Sequence, residues 1–363
     1  MTVNILIYFY LFICFVLFLY NIIYIFQSDY QAKTHKKKVV FWHRYIFEEF
    51  QFLENHHHCQ LKTYSYLKRK LVQPKELLAY IDALELLKEE KVYKHYLQLS
   101  LPLYQHLAIQ YKKKESLYRT LLAHTIAYYS LPLQGDDSLL VEILLSYLDD
   151  STLNCREKVF YALFHLGNIG GIENAISRFN DEQWFHHEKL LLDGLLHFQG
   201  HQDELIFRLW SHYGRWNQSI MIAIIHYITE MSGHYHDLFL PLLDHQNTDI
   251  EIKIAILRYF GKYPSPQARE YLYDILDDPQ SDVHLVIVAV FVLDQYQNLK
   301  SIRYLKKALH HSNWYVRYNA AHSLASFQLG KEFYQDVFDG DDCFAREMLN
   351  YMFEKEKQVV NDG

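Results

Sequence analysis

Histidine is the residue type here that most invites a chemical reading, since the chain holds 22 of them and runs His56-His57-His58-Cys59 without interruption. Imidazole and thiolate are zinc ligands, but consecutive residues on a helix cannot all face one ion, and no partners follow at ligand spacing. The run reads as a solvated polar patch and no metal site is expected. His186-His187, His310-His311 and the pair His234 and His236 read as turn or surface residues. Asp339-Gly340-Asp341-Asp342 has the look of a calcium loop without its twelfth-position Glu, so a turn between terminal helices is expected. Asp149-Asp150 and Asp277-Asp278 recur at matching places and read as turn and helix-cap chemistry rather than a catalytic carboxylate pair. Zincin, nucleophile-elbow and phosphate-loop motifs are absent. Cys14, Cys59, Cys155 and Cys343 lie far apart with no C-x-x-C pair, which fits reduced thiols. The expectation is a chain that is not an enzyme and needs no cofactor.

Composition points to the scaffold behind these residues. Half of the 363 residues are hydrophobic while Gly and Pro number 12 and 7, which favours an all-α fold. From Val3 to Phe26 no residue is charged, and only Asn4 and Asn21 are strongly polar. About 20 apolar residues suffice to cross a hydrocarbon core, so residues 3–26 are expected to form a transmembrane helix. A cleaved signal would want a basic start and a small-residue cleavage site, and neither is present. Lys33, Lys36, Lys37, Lys38 and Arg44 follow the span with nothing basic before it, which places the N-terminus outside and the body in the cytoplasm, on a single-pass cell-membrane protein. Residues 33–75 carry ten Lys or Arg against three Glu, so residues 27–75 read as a basic juxtamembrane segment beside the lipid bilayer. The net charge of −7 argues against nucleic acid as a partner.

The body repeats. Tyr304 to Phe327 reads as a helical hairpin whose second helix stacks Val316, Ala320 and Leu324 on one face. Similar landmarks at Leu148, Phe179, Leu243, Leu276 and Leu309 are separated by 31, 64, 33 and 33 residues, and a degenerate copy near Ser211 would halve the long step. The core Val316-Arg317-x-x-Ala320-Ala321-x-x-Leu324 resembles the HEAT repeats of the short bacterial, phycobilisome-lyase-like type over residues 140–328. Leu101-Pro102-Leu103, Leu131-Pro132-Leu133 and Leu240-Pro241-Leu242 look like proline-bearing first helices of such units. Two departures stand out: the HEAT period is nearer 40, and the motif arginine is present at Arg156 and Arg317 but replaced by His284, Glu251 and His187 elsewhere.

The resemblance implies an α-α superhelical solenoid over residues 140–355, preceded by a helical cap and divergent repeat over residues 76–139. It also implies that the activity is binding, because stacked hairpins present an extended surface to a protein partner, another membrane protein being one candidate. Candidate partner-facing side chains on the second helices are Tyr161, His165, His226, Tyr227, Tyr318 and His322. A membrane-anchored scaffold or adaptor at the cytoplasmic face is the leading expectation. The alternative from the same resemblance is a lyase-like or chaperone-like modifier of a bound protein or chromophore, and a DNA-glycosylase role conflicts with the acidic body and the apolar span.

Overall fold

The computed structural model describes residues 2–361 except 57, 59, 131, 133–137, 150, 185 and 186, with the side chains of 2–7, 61, 138 and 356–361 also left aside. Every regular element among them is helical, with no strand. Two compact units emerge, one of Met1–Ala175 with His197–His201, the other of Ile176–Leu196 with Gln202–Gly363.

The first unit opens with α1 (Thr2–His56), a single helix of 55 residues. No proline or glycine interrupts this stretch, which leaves nothing to break the ladder of backbone hydrogen bonds. Its most apolar portion has a mean hydropathy of 2.4 and is wholly unburied, so α1 is long and apolar enough to cross a membrane. Further along, the same helix turns into core: Trp42, Ile46, Phe50 and Leu53 are buried. There α1 packs on α3 (Pro74–Glu85), which follows α2 (Leu61–Lys70). Next come α4 (Tyr93–Leu99), α5 (Leu101–Lys112), α6 (Ser116–Tyr129), α7 (Ser138–Leu145) and α8 (Leu153–Leu166). Pro74 opens α3 and Pro102 lies in the first turn of α5, where the missing N–H costs no helical bond. Gly167 ends α8 with φ +72, a left-handed conformation that suits glycine.

Tyrosine builds much of this core, and several buried hydroxyls tie elements together. Tyr104 donates to the Tyr129 carbonyl at 2.6 Å, Tyr111 to the Leu71 carbonyl at 2.9 Å and Tyr147 to the Ala108 carbonyl at 2.7 Å, while Tyr80 and Tyr96 share a hydrogen bond at 2.9 Å. Burial pushes the phenols of Tyr104, Tyr111 and Tyr147 well above their usual range, so they stay neutral donors.

Residues of α9 (Ile169–Asp181) are divided between the units. The second unit holds α10 (Glu188–Leu196), α11 (Gln202–Ser211), α12 (Gln218–Met231), α13 (His236–Asp244), α14 (Ile250–Lys262), α15 (Pro266–Asp277), α16 (Val283–Val292), α17 (Leu299–Ala308), α18 (Trp314–Ser326), α19 (Gln335–Phe338) and α20 (Cys343–Asn361), with 3-10 turns at Tyr213–Arg215, Leu293–Gln295 and Lys331–Tyr334. Hairpins pair α11 with α12, α13 with α14, α15 with α16 and α17 with α18, and the second helices α10, α12, α14, α16, α18 and α20 each pack on the next. The α11–α12 hairpin occupies the place of the degenerate copy expected near Ser211.

Short polar residues start these second helices. The side chains of Asn217, Asp249, Asp282 and Asn313 cap α12, α14, α16 and α18, and Asp342 accepts from the amides of Phe344 and Ala345 at the head of α20. Each cap satisfies a donor the helix leaves orphaned, worth about 1 kcal/mol. Asp277 and Asp278 lie at the end of α15, where Asp278 accepts from the Gln280 amide, so the acidic pair is turn chemistry and the cap role belongs to Asp282. Asp339 to Asp342 is the turn between α19 and α20. Asp150 lies outside the described residues.

Neighbouring hairpins are also laced by polar bonds. Asn319 donates to the Ile287 carbonyl and Ser323 to the Val290 carbonyl, both at 3.1 Å, and Ser326 donates to Asp294. Tyr296 donates to the Phe260 carbonyl at 3.1 Å and accepts from the Ser265 amide at 3.0 Å.

Candidate protein-binding face

Counting from the caps puts the second helices in one register. The ninth residue after the cap is His226 in α12, Arg258 in α14, Phe291 in α16, His322 in α18 and Tyr351 in α20, and each is exposed or half-buried. The tenth is Tyr227, Tyr259, Val292, Ser323 and Met352, and all five are buried. A helix turns about 100° per residue, so one step carries a side chain from the rim of the surface into the core. Tyr227 was expected at the surface with its neighbour His226; it is fully buried, and this phase is the reason.

The face changes character along the unit. On α12 and α14 it is charged: Glu230 pairs with Lys262 at 2.9 Å, and Arg258 lies near His226. Burial, then the Arg258 charge, holds the His226 imidazole below its usual range despite Glu188 and Glu230. From α16 to α20 it is aromatic. Phe291 is 51% exposed, Tyr315 61%, Phe344 63% and Tyr351 55%. His322 stacks on Phe291 with centroids 6.5 Å apart, Trp314 stacks on Tyr318 at 5.0 Å, and the Arg317 guanidinium lies 5.5 Å from the Phe344 ring. Exposed aromatic rings and an arginine are residue types enriched at protein interfaces. Tyr318 and His322 are therefore half-exposed members of this face, and Phe291, Tyr315, Phe344 and Tyr351 are members that sequence reading missed. The signal was the cap: an Asn or Asp followed two or nine residues later by an aromatic ring, positions seven apart that share one side of the helix.

In the first unit, Tyr161 also stands nine residues after a cap, Thr152. It is half-buried, edge-on to His197 at 5.9 Å with the Lys158 ammonium 5.2 Å away. His165 is held at the Ser130 carbonyl at 2.9 Å.

The motif arginines do turn chemistry. Arg156 donates to the Ser151 carbonyl at 3.1 Å and Arg317 to the His311 carbonyl at 3.2 Å, each closing the turn before its own helix. Arg346 makes the same bond to the Gly340 carbonyl at 3.2 Å, a third example that its weaker motif concealed.

Of the basic residues after the apolar stretch, Lys36, Lys37 and Arg44 are exposed, whereas Lys33 pairs with Asp29 at 2.6 Å and Lys38 with Glu76 at 2.5 Å. His35 adds a contact to Asp82 at 2.6 Å and the Trp42 indole donates to Glu76 at 3.0 Å. Burial would raise the Glu76 carboxyl, but the hydrogen bonds from Lys38 and Trp42 and the charges of Lys38 and Lys70 outweigh it and hold the carboxyl below its usual range. Trp42 sits edge-on to Tyr80 at 5.6 Å and to Tyr45 at 5.7 Å. Below it, the buried Glu49 accepts from the Gln60 amide at 2.6 Å and the Thr63 hydroxyl at 2.7 Å. Aromatic packing, the buried Glu49 and the half-buried Glu76 thus join α1 to the rest of the first unit.

Among the described residues, no three His, Cys, Asp or Glu converge as metal ligands do. His56 bonds the Phe52 carbonyl and His58 the His56 carbonyl, while His57, Cys59 and His186 lie outside the described residues. A cleft of about 360 Å³ in the second unit is lined by Ile275, Val286 and Val316, and at its rim Lys307 pairs with Asp277 while His310 bonds Asp342.

The chain matches no protein-family model and no curated protein.

Proposed function

We propose that this chain is a membrane-anchored scaffold or adaptor: α1 crosses the bilayer once, with the two units on the cytoplasmic side, and the helical hairpins form a HEAT-like solenoid that binds a protein partner. The observation that carries this reading is the pairing, in one chain, of a bare apolar helix with an exposed aromatic face built at one repeated register.

Tyr8, Phe12, Phe18 and Phe26 on α1 are 62 to 72% exposed. Covering a large apolar side chain is worth about 1.5–3 kcal/mol, so leaving a dozen in water would cost on the order of 20–40 kcal/mol. Lipid removes that cost, and a helix satisfies its own backbone there. Tyr8 and Tyr10 at one end and Tyr24 and Tyr30 at the other suit the two interfacial layers, and the lysines that follow favour the cytoplasmic side. The HEAT-like reading is supported by second helices that start at 188, 218, 250, 283, 314 and 343, and by arginines closing the preceding turns.

The test is capture from gently solubilised membranes by full-length chain, wild type against Phe291→Ala/Phe344→Ala. A partner held by the wild type and weakened at least tenfold by the variant, with unchanged melting, supports the reading, since two aromatic hot spots are each worth about 2 kcal/mol. Equal capture by both, or by a control ending at residue 75, removes its basis.

A further inference from the structure

The six cations Lys68, Arg69, Lys70, Lys112, Lys113 and Lys114 fall in two runs separated in sequence. In the first unit they meet, because α2 packs on α5 and Tyr111, one residue before the second run, donates its hydroxyl to the Leu71 carbonyl at 2.9 Å. None of the six is ion-paired to a carboxylate among the described residues, in a chain whose other lysines often are. Rings hold four of them instead. The Lys68 ammonium lies 4.5 Å from the Tyr64 ring, Arg69 and Lys70 each 5.8 Å from Tyr66, and Lys114 5.5 Å from Tyr111. A ring orients a cation without neutralising it, so the positive charge of the patch stays available to an outside anion. His106 feels it: burial and then the Lys68 charge push its imidazole down. Glu115 is the one acidic residue adjoining the second run in sequence.

We infer that the joined ends of α2 and α5 are a docking surface for anionic lipid headgroups, a reading that rests on α1 spanning the bilayer. Position selects lipid over other polyanions. Lys70 acts on Glu76, whose carboxylate holds Lys38. Lys38 lies twelve residues beyond Phe26 on the same helix, roughly 18 Å at 1.5 Å per residue. The headgroup layer takes up about 5–8 Å of that distance, and helix tilt shortens the rest. What remains is on the order of one Debye length, about 8 Å at physiological salt, across which a charged leaflet attracts this patch and repels the acidic parts of the chain. The anchor would then be two-point, an apolar helix through the membrane and a basic patch on its surface.

Full-length chain in nanodiscs tests this by the rate at which an amine-acetylating reagent labels Lys68, Lys112 and Lys113. Discs containing phosphatidylserine should slow labelling about fivefold relative to pure phosphatidylcholine discs, and about 1 M salt should abolish the difference. Lys112→Glu/Lys113→Glu changes two exposed side chains and should remove the protection of Lys68. Equal labelling in both kinds of disc, with the chain incorporated, overturns the docking surface while leaving the anchor intact. Protection on neutral discs by single-stranded RNA or polyglutamate, with none from phosphatidylserine, overturns it in favour of another polyanion. Failure of the wild-type chain to enter either disc sinks the anchor reading itself.

Discussion

Truncating Trp42 should unlock α1 from the first unit. The indole is fully buried, packs against Tyr80, Tyr45 and Tyr66 at 5.6 to 5.9 Å, and donates to Glu76 at 3.0 Å. Removing a buried tryptophan costs about 3–5 kcal/mol, and withdrawing one donor from a half-buried carboxylate adds about 1 kcal/mol. Lys38 still serves Glu76, which keeps the second contribution at the low end. Together these predict a loss of about 4–6 kcal/mol for Trp42→Ala, or three to four decades in the protection of α3 amides if they exchange by opening of this junction. Trp42→Phe retains a ring and loses the N–H, so about 1–2 kcal/mol is expected. The assay is hydrogen exchange read by mass spectrometry on full-length protein in detergent, comparing peptides from α3 and α14. Loss confined to α3, graded Ala over Phe, is the expected pattern. If α3 in Trp42→Ala keeps its wild-type protection to within tenfold, the aromatic junction is not what fastens α1, and the argument from burial is wrong.

Glu76 gives the same junction a pH dependence: its folded-state carboxyl is held below the unfolded value, so the stability it contributes is present above the unfolded pKa of about 4.3 and is lost as pH falls through the folded value. Exchange from α3 should therefore rise on acidification below about pH 4, and Glu76→Gln should flatten that rise. His226, lowered chiefly by burial, contributes stability above its unfolded pKa of about 6.5 that is lost as pH falls, and His226→Gln should reduce the slope of melting temperature between about pH 7 and 5. Tyr227→Phe should leave the melting temperature unchanged or raise it, because the buried hydroxyl meets no partner among the described residues; a fall of several degrees would contradict this. Asn298→Ala removes the cap that accepts from Lys300 and Ser301 and the amide that donates to Tyr296, so a loss of about 2 kcal/mol is expected in denaturant melts.

Periodicity carried most of what the sequence could tell. The apolar spacing along Val316, Ala320 and Leu324 and the polar breaks before it correspond to α18 and its turn, because amphipathic pattern and cap chemistry are local properties. The long step between Phe179 and Leu243 contains a hairpin whose landmarks are weak but whose cap, Asn217, is ordinary. What escaped was phase and partnership. His226 and Tyr227 look alike in a list of aromatic residues, and only the position of the cap separates rim from core. Lys33 and Lys38 were counted as free charge, yet Asp29 lies one turn before the first and Glu76 reaches the second only through the packing of α3 on α1. The meeting of Lys68 to Lys70 with Lys112 to Lys114 depends on a tertiary contact between α2 and α5, which no window of residues contains.

The unbroken course of α1 makes residue count a gear. Between Phe26 and His35, where contact with α3 begins, nothing lets one end turn without the other. Each residue inserted there would swing the first unit about 100° around the helix axis and lift it about 1.5 Å from the apolar stretch. Two insertions would point the basic patch nearly backwards, and seven would restore its azimuth to within about 20° at about 10 Å greater height. Heading and elevation can thus be dialled separately along one axle, and whatever surface this unit faces is selected by an integer.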